Sequence, residues 1–447
     1  MKLAIVGGGG FRVPLIYGAL LRRRSTLAFD ELVLHDVDED RLARISLVLE
    51  GQAAEHGDRL PFRATGDLDD AIEGADFVFS AIRVGRLDAR TVDESVPLHH
   101  GVLGQETTGP GGIGFALRTI PVMLELAETM ARRAPAAWLV NFTNPAGMVT
   151  EALQTVLGDR AIGICDSPSA LCRRVAAALG RRPEELWFDY FSLNHLGWLR
   201  GVRDRTGDLM PGLLADDQAL DSLEEGRLFG AEWLRSIGLI PNEYLYYYDY
   251  AADTVDAIRR SPQPRGAYLL EQQAAFYDAA RESPQQALQT WRASKDERDR
   301  SYMAEARSAA GVNGAHAQEA GIGGYEGEAM AVVDAITNNT GTVLIVNAAN
   351  RSALPFLDAR AVVEVPCVVG AAGAQPIAVG PVPDHARALI ETIKAVERAT
   401  IEAATTGSTA LAVKALALHP LVPSVNAARE IFSGYRERLP DLEERFA

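Results

Sequence analysis

The residues Lys2-Leu3-Ala4-Ile5-Val6 form an apolar run that breaks into four glycines, Gly7 to Gly10, before Phe11-Arg12-Val13-Pro14 leads into an apolar stretch of helical character. A strand, a tight turn of bare backbone and a helix N-terminus are what allow a pyrophosphate to approach main-chain amides. This opening therefore predicts the first turn of a dinucleotide fold, with Gly7, Gly8 and Gly9 against the cofactor. The match to G-x-G-x-x-G is partial, because Gly7 and Gly9 fit but Arg12 stands where a small residue is expected. Read alone, the turn serves equally well as a tight strand-to-helix connection.

A second apolar run, Glu31-Leu32-Val33-Leu34-His35, ends in Asp36. A carboxylate at the tip of a second strand accepts both ribose hydroxyls of NAD and repels the extra phosphate of NADP. The alternative is an acid that opens the solvated turn capping the next helix. Further strands are expected at 76–82 and 138–142, with a long helix at 114–133 between them. Such alternation gives a parallel sheet wrapped by helices on both faces, with ligands at the carboxyl ends of its strands. Residues 1–165 thus read as an α/β, Rossmann-type NAD-binding domain. From about Pro211 long helices take over, strands return at 342–346, 361–369 and 376–379, and two or three helices close the chain from near Pro383. Residues 166–447 read as an α+β domain for substrate and metal, joined without a flexible linker.

Polar loops follow the strand ends and carry Arg83, Arg90, Glu106 and Asn144. Loops on that rim hold substrate contacts, although glycine and asparagine there also serve turns, the leading reading for Asn144-Pro145 taken alone. The run 161–168 delivers Cys165 and Asp166 to a helix whose N-cap and first turn are expected at Ser167-Pro168. A thiol at a helix N-terminus is favoured as thiolate and suited to a metal; the other reading is a small buried residue, as for Cys172 and Cys367. His195, next to Asn194 in the apolar segment 191–198, reads as a core histidine or as a ligand. The 30 residues between Cys165 and His195 are no zinc-finger spacing.

The net charge of −16 argues against nucleic acid or an acidic membrane as partner, so an anionic substrate must be met by local arginines. Three cysteines, with no signal segment and no long apolar span, lead us to expect a reducing cytoplasm.

The motifs together carry a resemblance. They are the glycine run, Arg90-x-x-Asp93-Glu94-x-x-Pro97-Leu98, Gly104-Gln105-Glu106-Thr107-Thr108-Gly109, Asn141-x-Thr143-Asn144-Pro145, Gly163-Ile164-Cys165, Leu193-Asn194-His195, Tyr244-Leu245-x-Tyr247-Tyr248, Arg265-Gly266 and, more weakly, His419-Pro420-Leu421-Val422-Pro423. In this order the chain resembles the NAD-dependent family 4 glycoside hydrolases, and among them the 6-phospho-β-glucosidases most.

The resemblance implies oxidation of the sugar at C3 by NAD, loss of the C2 proton, elimination of the aglycone, addition of water and re-reduction, a route outside the two-carboxylate scheme of other glycosidases. It assigns Cys165 and His195 to a divalent metal, with Mn²⁺ expected, and Tyr244 to the C2 base, with Tyr246 and Tyr247 as alternatives in register. Arg83 goes to the cofactor. Arg90 and Arg265 hold the substrate and its 6-phosphate, while Glu106, Asn144 and Asn194 join the substrate site. Asp166 departs from the asparagine expected in β-specific members; an aspartate there is characteristic of 6-phospho-α-glucosidases, as the acid for the leaving group. The expected partner is a small phosphorylated disaccharide or glucoside, and the expected assembly a homodimer or homotetramer. The rivals are a lactate- or malate-type dehydrogenase, which would release NADH, and a nucleotide-sensing protein without turnover.

Overall fold

The computed structural model describes residues 1–312 and 324–447. Six strands, β1 (Lys2–Val6), β2 (Glu31–His35), β3 (Phe62–Thr65), β4 (Phe77–Ser80), β5 (Trp138–Asn141) and β6 (Ala161–Gly163), pair in parallel in the order β3-β2-β1-β4-β5-β6. Helices cover both faces, so β4 is buried at every residue, and its first three residues, Phe77-Val78-Phe79, are apolar in succession instead of alternating. The strand order reverses between β1 and β4, which opens a crevice at their carboxyl ends. The edge strand β3 has no counterpart among the expected strands, because Phe62-Arg63-Ala64-Thr65 is short, only partly buried and offers no apolar run.

The sheet does not stop at β6. The remaining strands are β7 (Trp187–Leu193), β8 (Leu196–Asp204), β9 (Gly207–Asp208), β10 (Ile240–Pro241), β11 (Thr342–Ala349), β12 (Val362–Gly370) and β13 (Gly373–Pro376). β11 joins β6 antiparallel, with Asn347 opposite Gly163, and the ladder continues through β12, β7, β8 and β10. Among the described residues all 13 strands form one sheet.

The structure departs from the sequence expectation in several places, and strand ends elsewhere shift by one to three residues. The strand placed at 376–379 lies at Gly373–Pro376: the register next sets Ile377 opposite Pro366, whose carbonyl accepts the Ile377 amide at 2.9 Å but which has no N–H to return the bond, and the ladder ends there. The long helix starts at Gly109, not 114: a Cβ on Gly111 or Gly112 would strike the Gln105 or Thr107 carbonyl, so glycine is the residue that fits this first turn. Asp166, not Ser167, occupies the N-cap position of the helix Ser167–Ala178. Finally, four closing helices are present: Asp384–Thr406, Thr409–Leu418, Val425–Arg438 and Pro440–Arg445. They return to the first half of the chain, where Val396, Ala399 and Ile431 share an apolar cluster with Ile113, Leu117 and Ile120. No helix among the described residues is long and apolar enough to cross a membrane.

Candidate active site

A cavity of about 1240 Å³ opens at the carboxyl ends of β1, β2 and β4 and runs to the hairpin of β7 and β8. At one end Gly7 adopts φ +93°, and a Cβ there would lie 2.8 Å from the Ala81 carbonyl oxygen, so the turn requires glycine. The amides of Gly7 and Gly8 both donate to the His35 carbonyl, at 2.9 and 2.7 Å. Gly7 lines the cavity with Gly10, Phe11 and Arg12, whereas Gly8 and Gly9 pack against Leu34 and Leu42 and are not among the lining residues. Asp36 also lines it; its carboxylate accepts the amides of Gly9 at 2.9 Å and Asp38 at 3.0 Å. The cap of the helix Glu39–His56 is Asp38, which accepts the Arg41 amide at 3.1 Å.

The middle of the cavity is rich in arginine. Arg83 lies over the Phe115 ring at 4.6 Å and pairs with Glu106 at 2.5 Å. Arg90 pairs with Glu106 at 2.9 Å and Glu94 at 2.7 Å. Burial works against the Glu106 carboxylate, but Arg83 and Arg90 overcome it and bring the group down to about 2. Arg265 donates to Ser301 Oγ at 2.6 Å and to the Arg298 carbonyl at 3.1 Å. Arg298 lies 5.9 Å above Phe11, and Arg12 lies 5.6 Å above Phe142 and 5.2 Å above Tyr325. Burial, then the charges of Arg12, Arg265 and Arg90, push the Arg298 guanidinium well below its ordinary value. Five guanidinium groups, those of Arg12, Arg83, Arg90, Arg265 and Arg298, with Glu94 and Glu106 as the acids paired to them, make a pole suited to an anion. Sequence reasoning missed Arg298, which sits in the charged run 295–300 with no local signature, and treated Arg12 only as a break in the glycine pattern.

At the far end, Asn194 and His195 form the turn between β7 and β8, with His195 at φ +61°. Its Nδ1 lies 3.0 Å from Thr107 Oγ1, which in turn lies 3.1 Å from Gln105 Oε1. With the Thr107 hydroxyl donating to Gln105, His195 donates through Nδ1–H and Nε2 keeps its lone pair. Burial brings His195 down to about 4, so the ring is neutral at pH 7, as a ligand must be. Cys165 is buried, and desolvation followed by the charges of Glu364 and Asp166 push its thiol well up. Both residues line the cavity, as does Asp166. Among the described residues no group of three or more His, Cys, Asp or Glu is arranged around a metal. One thiol and one neutral imidazole fit a metal whose shell is completed by ligand oxygens.

The Tyr244 ring stacks on His195 with centroids 3.8 Å apart and planes 3° off parallel. Its hydroxyl lies 3.3 Å from that of Tyr302, which donates to Glu243 at 2.9 Å. Burial, above all, raises the Tyr244 phenol. Tyr247 shares the cavity; Tyr246 instead packs on Tyr250, and Tyr248 on His419. The buried Oδ1 of Asn144, a cavity residue, has no hydrogen-bond partner among the described residues. Asn194 does not line the cavity: its amide donates to Glu364 Oε1 at 3.0 Å.

The chain was compared with known proteins. The family model described as family 4 glycosyl hydrolase matches residues 2–181, and that of the family's C-terminal domain matches residues 190–422. A 6-phospho-alpha-glucosidase of Lacticaseibacillus paracasei is 33% identical, over 96% of this chain and 95% of its own. A 6-phospho-beta-glucosidase of Escherichia coli is 30% identical, over 100% and 98%. The crystal structure of the 6-phospho-beta glucosidase of Thermotoga maritima, solved with manganese, NAD⁺ and glucose-6-phosphate, superposes with a TM-score of 0.82 at 26% identity, covering 98% of each chain. Malate dehydrogenase of Plasmodium falciparum shares the fold, with a TM-score of 0.51 at 12% identity over 91% of this chain and 99% of its own. The Rossmann-type sheet and the α+β half that follows it are thus arranged as in a malate dehydrogenase. The two family models account for both halves, and the chain belongs to the family 4 glycosyl hydrolases.

Proposed function

We propose that this enzyme hydrolyses 6-phosphoglucosides with NAD and a divalent metal, Mn²⁺ in the first instance. The observation that carries the reading is a single cavity that joins the Gly7 turn and Asp36, the Cys165 and His195 pair, and the arginine pole. Gly7, Asp36 and Arg83 would hold NAD, and Cys165 and His195 the metal. Bound there, NAD supplies a hydride acceptor for C3 and the metal polarises the oxygens on C2 and C3.

The chain's own residues then have distinct tasks. Arg265 and Arg90, helped by Arg298 and Arg12, receive the 6-phosphate. Asn144 presents an unpaired acceptor to a sugar hydroxyl. Glu106 keeps Arg83 and Arg90 in place and remains ionised. Tyr244, fixed face to face against His195, would take the C2 proton as its phenolate, the form that a divalent metal held by Cys165 and His195 would favour against the effect of burial. The relatives include both a 6-phospho-alpha-glucosidase and 6-phospho-beta-glucosidases. We favour the β anomer on the motifs of the second half. The α reading is favoured by one observation: Asp166 lines the cavity beside Cys165, where an acid can protonate a leaving oxygen.

The test offers 4-nitrophenyl 6-phospho-β-glucoside, its α anomer and both unphosphorylated sugars with NAD, Mn²⁺ and a reducing agent, in deuterium oxide. The proposal expects cleavage of the phosphorylated β substrate, deuterium at C2 of the released sugar and no net NADH. Cleavage of the α anomer alone reverses the anomeric assignment. Product with only hydrogen at C2 overturns the elimination route, and accumulating NADH restores the dehydrogenase reading.

A further inference from the structure

Glu364 sits in the middle of β12, fully buried, in a strand whose neighbours Val362, Val363, Val365 and Cys367 are all core residues. An apolar residue would continue that run without the desolvation of a carboxyl group. Its partners suggest what the acid does. Oε1 accepts the side-chain amides of Asn194 at 3.0 Å and Asn347 at 2.9 Å, and the Ser192 hydroxyl lies 3.1 Å from Oε2. Asn194 is the residue before His195, and Asn347 pairs with Gly163, two residues before Cys165. One carboxyl group therefore ties the turn that carries the imidazole to β11, the strand paired with the one that leads to the thiol. His195 has particular need of this, since a side chain at φ +61° occupies a region that L-residues visit only when their surroundings hold them there. A Cβ on Gly197, the second residue of β8 and the partner of Ser192, would collide with Tyr190 and Ser192, so the hairpin is tightly packed next to the turn.

We propose that Glu364, acting through Asn194, is a positioning residue that sets His195 for metal binding. The inference rests on His195 and Cys165 being the metal ligands. Its test measures Mn²⁺ affinity by the electron paramagnetic resonance signal of free Mn²⁺, in the full-length protein with glucose 6-phosphate present, and NAD affinity by calorimetry in parallel. Glu364→Ala should weaken Mn²⁺ about 10- to 100-fold, the usual effect of removing an outer-shell partner, and leave NAD affinity unchanged. Glu364→Gln should recover most of the loss, because its amide oxygen accepts both asparagines and its NH₂ donates to Ser192. Where Glu364→Ala does not fold, Asn194→Ala takes its place and should show the same selective loss. Wild-type Mn²⁺ affinity in these variants, or equal losses of Mn²⁺ and NAD, overturns the positioning role. His195→Ala separates the two levels: if it too keeps full Mn²⁺ affinity, the metal assignment falls and this inference with it.

Discussion

The Arg265 guanidinium lies over the Tyr268 ring and donates to a hydroxyl and a carbonyl instead of a carboxylate, and the Arg298 guanidinium lies over the Phe11 ring, so an incoming phosphate is the strongest acceptor either will meet. Arg298→Ala should weaken glucose 6-phosphate by about 1.5–3 kcal/mol, the worth of hydrogen bonds to a charged group, while affinity for glucose stays the same. Calorimetry with the two sugars checks this, and equal losses would make Arg298 a structural residue. At the other end of the cavity Asp36 already accepts two amides, with lone pairs left for a ribose diol. Asp36→Ala should therefore weaken NAD by about 1.5–3 kcal/mol. An unchanged titration would remove Asp36 from the cofactor site.

The helices Arg86–His99 and Gly109–Arg133 are joined by a buried fork, Arg118 Nη1 and Nη2 to the two Asp93 oxygens at 2.8 and 2.7 Å. Removing one partner leaves a buried charge, so Asp93→Ala should cost about 3–5 kcal/mol, and Asp93→Leu with Arg118→Met distinctly less. Urea unfolding of the single and double variants reads the difference. This pairing shows what the sequence conceals. Asp93 was legible as part of a motif, but its partner 25 residues on was not, because nothing local distinguishes a buried arginine on a long helix. Elements with a strong local signal were legible: the glycine turn, the apolar strands β1, β2, β4 and β5, and the Cys165 strand end. The edge strand β3 and the β7 and β8 hairpin were not, since one is too short and polar and the other turns through Asn194-His195 where Asn-Gly is the usual signal. The arginine pole drew Arg90 and Arg265 from the resemblance, while Arg298 became visible only when the helix Ala287–Arg300 was placed over the cavity.

At the scale of the whole molecule the two ends of the chain close on each other, and both pH and truncation should expose this. His419, behind the last long helices, is buried, stacks on Tyr248 and accepts the Leu421 amide at Nδ1. Desolvation brings it from 6.5 down to about 3. A histidine held neutral in the fold stabilises it fully above the unfolded value and loses that contribution as the pH falls toward the folded one. Stability should therefore drop by about 2 kcal/mol from this group between neutrality and about pH 5, and His419→Gln should flatten that slope. Truncation is the sharper test. Lys394, on the helix Asp384–Thr406, reaches into the first half of the chain to Glu151 at 2.8 Å, and also bonds the Val362 carbonyl at 2.8 Å. The same helix and its successors cover Ile113, Leu117 and Ile120, and β11 covers the edge of β6. Residues 1–165 made alone would expose that apolar face, an open strand edge and a carboxylate deprived of its ammonium. The fragment should show no near-ultraviolet circular dichroism and should self-associate. The full chain should unfold in one transition, and NAD at about 100 times its Kd should stabilise it by about 2.7 kcal/mol. A soluble 1–165 fragment with native dichroism and NAD affinity would show instead that the parallel sheet folds without the helices that return to it.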